Sequence, residues 1–249
     1  MRAQAPTLVL LAACALSACG GDEEAAGRGG TEQQAGSTTA AGASERPVVA
    51  PRQTRDGCAP VAAAQPRPEQ SLRSPRRKLN RSRRHVATLR SNCGTIRIKL
   101  AVRDFPKTTR SFLRLARAGF YDGLSFHRIA KPGGNDFVIQ GGDPQGGDPR
   151  GSGGPGYSVV ERPPRDARYP LGTVAMAKAP DEKPGTSGSQ FFIVTGEGAA
   201  LDPLYAIVGQ VIAGRDAVRR IASVPADPVT ETPIDPVIIK KVTIRESKG

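Results

Sequence analysis

All eleven aromatic residues of this 249-residue chain fall between Phe105 and Tyr205, and the first 104 residues hold none. Aromatic side chains bury large apolar areas, so their distribution marks where a core can form. A packed domain cannot easily begin before the mid-eighties, and the N-terminal third must be something other than core.

That third opens with "MRAQAPTLVLLAACALSACGG" (1–21). One Arg precedes a short apolar run, and small residues then lead to Cys19. The run is too short to span a bilayer but suits the apolar region of an export signal. Ordinary cleavage after Ala18 would want a small residue where Leu16 stands. "LSAC" (16–19) instead resembles a bacterial lipoprotein signal, in which the cysteine is lipidated and becomes the new N-terminus. Residues 1–18 are therefore expected to be a lipoprotein signal peptide and Cys19 the lipidation site, with plain secretion as the other reading. Full lipidation of Cys19 would give a durable anchor, because several chains hold firmly where one holds weakly. The expected location is the outer face of the bacterial cytoplasmic membrane.

Residues 19–84 are rich in Ala, Gly, Ser, Thr, Gln, Pro and Arg, with few large apolar side chains. Such a segment buries too little surface to offset its ordering entropy and reads as a disordered tether. Its last part, "RSPRRKLNRSRR" (73–84), carries seven basic residues and no acid. Without interleaved aromatics for base stacking, this is a poor nucleic-acid arm. Attraction to anionic lipid headgroups is the better use, so the formal charge of +13 says little about substrate. Cys14 leaves with the signal. Cys58 and Cys93 remain, an even pair that suits a disulfide in an oxidising compartment, with two free thiols as the other reading. Neither Cys nor His recurs at metal-ligand spacing, so no metal and no cofactor is expected.

The domain is expected over residues 85–249. "HVATLRSNCGTIRIKLAV" (85–102) alternates on both sides of "SNCG", as a β-hairpin does. "FPKTTRSFLRLARAGF" (105–120) reads as a helix, with Pro near its start and Gly119 after its last turn. Short strands follow at 124–130, 136–140, 172–178, 190–196 and 205–211. A second helix starts at Gly214, and a final strand covers 236–246. Many short strands in series with two helices indicate a mainly β fold, an antiparallel sheet most economically closed into a barrel.

Which chemistry these segments carry is narrowed by what they lack. "GTSGSQ" (185–190) is not a nucleophile elbow, and the Gly-rich loop 140–157 lacks the Lys and following helix of a phosphate loop. In "SGSQFFIVTG" (187–196), alternation puts Gln190, Phe192 and Val194 on one face, Phe191 and Ile193 on the other. What remains is an arginine and two glutamines among phenylalanines. That set can assist rotation about an X–Pro peptide bond, whose barrier of about 18–20 kcal/mol comes from amide resonance. An apolar pocket grips the proline ring, and a guanidinium donates as the nitrogen pyramidalises.

"FHRI" (126–129), "DFVIQGGD" (136–143), "GTVAMAK" (172–178) and "SGSQFFI" (187–193) stand in the order and approximate spacing of the cyclophilin-type peptidyl-prolyl isomerases. The chain resembles that family from about residue 86 to 246. The resemblance implies a closed eight-stranded antiparallel β-barrel capped by two α-helices, with the active site on its outer surface. It implies Arg128 as the catalytic arginine, and Phe137, Val138 and Phe192 as the proline pocket. Gln140 and Gln190 would orient Arg128 and the substrate backbone. Ala177 and Lys178 would lie along that backbone, Leu201 and Tyr205 would close the pocket, and Gly151 would fall beside the neighbouring subsite. Several positions depart from the family pattern. Val138 stands where many members have Met, Tyr205 where many have His, Lys178 for a common Asn, and Ala200 for a tryptophan familiar in eukaryotic members. The change at Ala200 should weaken cyclosporin binding more than catalysis. The loop at 144–150 also looks slightly longer than usual.

The implied function is peptidyl-prolyl isomerisation in exported or cell-envelope proteins, assisting their folding. Its partners would be proline-containing segments and, through Cys19 and the segment 73–84, a membrane. No nucleic acid is expected, and the protein should be a monomer. The other readings are a proline-segment binding module or holdase with little turnover, and a structural protein of the cell envelope.

Overall fold

A computed structural model describes residues 57–147, 151–197 and 199–248. The expected signal peptide, Cys19 and the first part of the expected tether lie outside the described residues.

Alternating burial in Arg83–Ser91 (β1) and Gly94–Leu100 (β2) builds the first antiparallel hairpin, with Leu89, Ile96 and Ile98 pointing inward. Phe126–Ala130 (β3), Val138–Gly141 (β4), Val159–Val160 (β5), Thr173–Met176 (β6), Thr186–Ser187 (β7), Phe191–Val194 (β8), Ile207–Ala213 (β9) and Ile239–Lys248 (β10) follow. Eight of these strands form one antiparallel sheet in the order β10-β1-β2-β9-β6-β8-β4-β3, while β5 and β7 pair separately. The sheet curls round a core, but its ladder is not closed. The edge strands β3 and β10 meet only around the single bridge Ser125–Ile238, where Phe126 N donates to Val237 O at 2.8 Å. The expected closed barrel is thus a curled, half-barrel sheet. Pro233 and Pro236 have no N–H to extend a ladder, and Glu231 O takes the Ile129 N–H instead, at 2.8 Å.

Pro106–Arg117 (α1) turns Phe112, Leu113, Leu115 and Ala116 inward. Its N-cap Phe105 offers no side-chain acceptor; the Glu161 carboxylate, 53 residues from Thr108, accepts from Lys107 N at 3.1 Å and Thr108 N at 2.8 Å. Arg215–Ser223 (α2) buries Ala217, Val218, Ile221 and Ala222. Its N-cap Gly214 has φ 85°, and a Cβ there would stand 2.0 Å from Thr95 O, so only glycine fits.

Residues 57–82 contain no helix or strand, yet they are bound to the domain rather than hanging from it, and β1 begins at Arg83. Cys58 and Cys93 are joined by a disulfide across a sequence separation of 35, both sulfurs inside the main core. Ala59 N and O pair with Asn92 at 2.9 and 2.8 Å. Arg67 reaches the carbonyls of Phe120 and Asp122, and its own N–H donates to Pro144 O at 2.7 Å. Leu72 N donates to Pro155 O at 2.9 Å, and Leu72 and Leu79 pack on the core. A polar composition reads as a tether when burial is the only force considered. This strap is held by a covalent bond and by backbone carbonyls.

Closing a loop of this length restricts the unfolded chain by about 3–4 kcal/mol. Reducing the protein, or replacing Cys58 and Cys93 together by Ser, should lower the unfolding free energy by up to that amount in a denaturant titration. An unchanged midpoint would place the strap outside the cooperative unit.

Candidate active site

The site grows out of side-chain parity in four adjacent strands, β3, β4, β8 and β6. Ile129, Ile139, Ile193 and Val174 occupy one cross-strand row, and Phe126, Phe191 and Met176 another. Both rows face the main core, where Phe191 meets Phe112, Tyr121 and Phe126 edge-on at 5.6–6.0 Å. The intervening row, Arg128–Gln140–Phe192–Ala175, faces the other way. So does Ala130–Val138–Val194. A second apolar cluster forms there from Val138, Phe192, Ala175, Val194, Ala130 and Tyr169.

Arg128 reaches its row through a register shift. Phe126 pairs with Gly141 and Arg128 with Gln140, so two steps along β3 match one along β4, and His127 is the extra residue. Without it, Arg128 would share the inward parity of Phe126.

On the outer face the polar groups form one chain. Arg128 Nη1 donates to Gln140 Oε1 at 3.1 Å, and Gln140 Nε2 donates to Gln190 Oε1 at 3.0 Å. Gln190 Nε2 donates to Gly153 O at 2.9 Å and lies 3.4 Å from Asp143 Oδ2. Each amide is thereby oriented by the next, and Gln190 is only 7% exposed. Arg128 Nε also donates to Glu231 Oε2 at 2.5 Å. Beside this chain lies the apolar patch. Phe192 meets Tyr205 edge-on at 5.2 Å, and Tyr169 holds the Tyr205 backbone by donating to its carbonyl at 2.8 Å and accepting from its N–H at 3.1 Å. Phe137, Leu201 and Ala177 pack round the rim, with Ala200 exposed next to Leu201.

An open groove of about 880 Å³ runs from the polar chain. Arg128, Gln140 and Gln190 line it together with Ala177, Lys178, Gly151 and, from the strap, Glu69 and Gln70. Ala177 N donates to Gln190 O at 2.9 Å. Lys178 Nζ turns back onto Ala179 O at 2.5 Å. Gly151 has φ 75°, a left-handed backbone that favours glycine, and it lies in van der Waals reach of the Gln190 amide. A charged donor, two oriented amides and an apolar patch suit a peptide with a compact apolar ring.

The family model described as cyclophilin type peptidyl-prolyl cis-trans isomerase matches residues 86–244. The chain belongs to the cyclophilin-type peptidyl-prolyl cis-trans isomerase family. Peptidyl-prolyl cis-trans isomerase B of Streptomyces anulatus is 38% identical over 177 residues, 64% of this chain and 95% of that protein. Peptidyl-prolyl cis-trans isomerase A of Mycobacterium tuberculosis is 37% identical over 177 residues, 64% of this chain and 91% of its own. A crystal structure of a Cryptosporidium parvum cyclophilin type isomerase superposes with TM-score 0.58 at 31% identity, covering 66% of this chain and 99% of that one. The same protein solved in the presence of the dipeptide Ala-Pro gives 0.57.

Within this cyclophilin the structure brings Arg128, Gln140, Gln190 and Phe192 together with Val138, Phe137, Leu201 and Tyr205. Lys178 joins the groove too. Sequence reasoning missed Glu231, Gly153 and the strap wall. Glu231 stands 103 residues from its partner in an unpatterned loop, and no local signal marks it.

His127, the extra residue of β3, is buried, and among the described residues neither ring nitrogen has a hydrogen-bond partner. Burial pushes its imidazole down from 6.5 to about 4, against the pull of Asp143 and with the help of Arg128. The unfolded chain therefore binds a proton between these values that the folded one refuses. His127 stability is fully present above pH 6.5 and is lost as pH falls towards 4, with a cost on the order of 3 kcal/mol at the lower end. His127→Phe should remove that component without loss at pH 7, since no hydrogen bond is given up. Unfolding free energies measured from pH 7 to 4 should fall less steeply for the variant; identical slopes would show that His127 is not held neutral.

Proposed function

We propose that Arg128 is the electrophilic donor of this isomerase, Gln140 and Gln190 its orienting amides, and Phe137, Val138, Phe192, Leu201 and Tyr205 the proline pocket. The carrying observation is the single outward row in which Arg128 and Gln140 stand beside Phe192. The peptide bond preceding a proline, laid across that row, puts its ring on the apolar cluster and its amide nitrogen within reach of the guanidinium. As resonance is lost the nitrogen becomes a better acceptor, so the donor binds the transition state more tightly than the ground state. The Ala-Pro dipeptide used with the Cryptosporidium parvum structure supports this ligand class. Gly151, Ala177 and the backbone of Lys178 would accompany the residues that precede the proline, along the groove.

The proposed clients are proline-containing segments of exported proteins, and the proposed location is the outer face of the cytoplasmic membrane through lipid on Cys19. The "LSAC" stretch supports the anchor, and the Cys58–Cys93 bond supports an oxidising compartment. All seven basic residues of 73–84 are solvent-exposed, which suits contact with anionic headgroups.

The ion pair of Arg128 with Glu231 favours one competing reading, in which the arginine is a structural partner and the pocket only binds. Arg128→Ala decides between them. Catalytic efficiency on a proline tetrapeptide should fall by a factor on the order of 10²–10³, the size expected for one preorganised donor. Arg128→Lys should recover little, since a point charge on a flexible stem cannot replace the planar fork. A folded Arg128→Ala protein that isomerises at the native rate would refute the donor role, and a native protein that binds the tetrapeptide without turning it over would establish the binding reading.

Anchoring has its own test. Mature protein purified from membranes should carry lipid on Cys19 by mass spectrometry, and Cys19→Ser should release it to the soluble fraction. An unmodified Cys19 in the mature chain would refute the lipoprotein proposal.

A further inference from the structure

The Arg128–Glu231 contact joins a catalytic candidate to the only non-glycine residue with positive φ among the described residues: Glu231 sits at φ 57°. Left-handed backbone is unfavourable for a glutamate, and a position of this kind persists only where its surroundings enforce it. Those surroundings are specific. Residues 225–234 fold into a tight hairpin, with Ala226 bridged to Pro233 and Ile234 N donating to Pro225 O at 2.8 Å. Asp227 Oδ1 accepts from Val229 N at 2.9 Å and from Thr230 N at 2.5 Å, and Glu231 N closes the turn on Asp227 O at 2.7 Å. The turn then docks on β3 twice at adjacent residues. Glu231 O accepts from Ile129 N at 2.8 Å, and its carboxylate accepts from Arg128 Nε. A glycine at this position would spare the strain but could not make the second contact.

A guanidinium is planar, so two anchors on different nitrogens fix its plane. Gln140 holds Nη1 and Glu231 holds Nε, while Nη2 makes no hydrogen bond among the described residues. We infer that Glu231 is a positioning residue: its carboxylate, presented by a left-handed turn, locks the Arg128 fork so that Nη2 faces the substrate amide. Gln140 alone would leave the guanidinium free to swing about its remaining contact. With both anchors the arginine is ordered before substrate arrives, and the entropy of ordering it is not charged to the transition state. The inference rests on the donor role proposed for Arg128.

The test uses the full chain with its disulfide intact, a proline tetrapeptide, and kcat and KM measured separately. Glu231→Gln keeps the size of the side chain and removes the charge. It should lower kcat on the order of tenfold while KM stays within about twofold, because orientation is lost and the apolar pocket is not. Glu231→Gly accepts the left-handed backbone without strain, so it should remain folded by circular dichroism and lose at least as much kcat. In an Arg128→Ala background, Glu231→Gln should change nothing further, since the residue it orients is gone. A folded Glu231→Gln protein with native kcat would overturn the inference, and so would a loss that persists undiminished without Arg128. A slow Arg128→Ala enzyme beside a fast Glu231→Gln one would sink the positioning role alone. A native-rate Arg128→Ala enzyme would sink the donor reading beneath it.

Discussion

The outer face depends on one extra residue in β3. Side chains alternate strictly along a strand, so Phe126 and Arg128 would share a face in any regular pairing. Phe126 belongs in the core, against Phe191. Inserting His127 as a bulge lets the next residue emerge on the opposite side. The bulge is secured by close packing on both flanks. Across the pair, a Cβ on Gly141 would meet Ser125 O at 2.8 Å; over the imidazole, a Cβ on Gly147 would meet His127 Cβ at 2.8 Å. His127 is kept in place by burial rather than by hydrogen bonds, and the lowered basicity of its ring is the cost of that choice.

Much of this was legible in the residues. Alternation in 190–194 separated Phe191 and Ile193 from Phe192 and Val194, and the structure divides them between two apolar clusters along that line. Hydrophobic period located both helices and every strand of the main sheet. Alternation along 124–130 gave no sign of the bulge at His127, because bulging is decided by the partner strand. Nor did any period reveal the carboxylate that caps α1 or the one that grips Arg128. Both reach a helix or a strand from a distant segment, through single residues with no local pattern. Closure of the sheet was over-read for a related reason. Strand count and order suggest a barrel, whereas the last ladder depends on N–H groups that prolines 233 and 236 do not have.

The strap shows a different limit. Composition measures how much apolar surface a segment can bury, and 57–82 can bury little. It is fixed by groups that composition does not weigh, namely a disulfide to the first hairpin turn and a guanidinium spread over two carbonyls. Its course brings Glu69 and Gln70 to the groove that holds Gln190. Residues 57–82 are therefore also part of the wall of the candidate site.

Placing the site on strands suits a reaction that breaks no bond. Isomerisation needs no nucleophile to be regenerated and no proton to be relayed, so the protein's contribution is a fixed field and a fixed shape. Both come from the ladder. Arg128, Gln140 and Phe192 inherit their spacing from backbone hydrogen bonds between β3, β4 and β8, which the inner rows of Ile, Phe and Val hold from beneath. The inward residues pack the core and the outward ones form the candidate site, on alternate positions of the same strands. Enlarging Ile139 or Ile193 would disturb the register itself and so move every outward group together. Changing an outward residue leaves that register intact. This separation lets a strained turn at Glu231 be spent on one guanidinium without loosening the sheet that carries it.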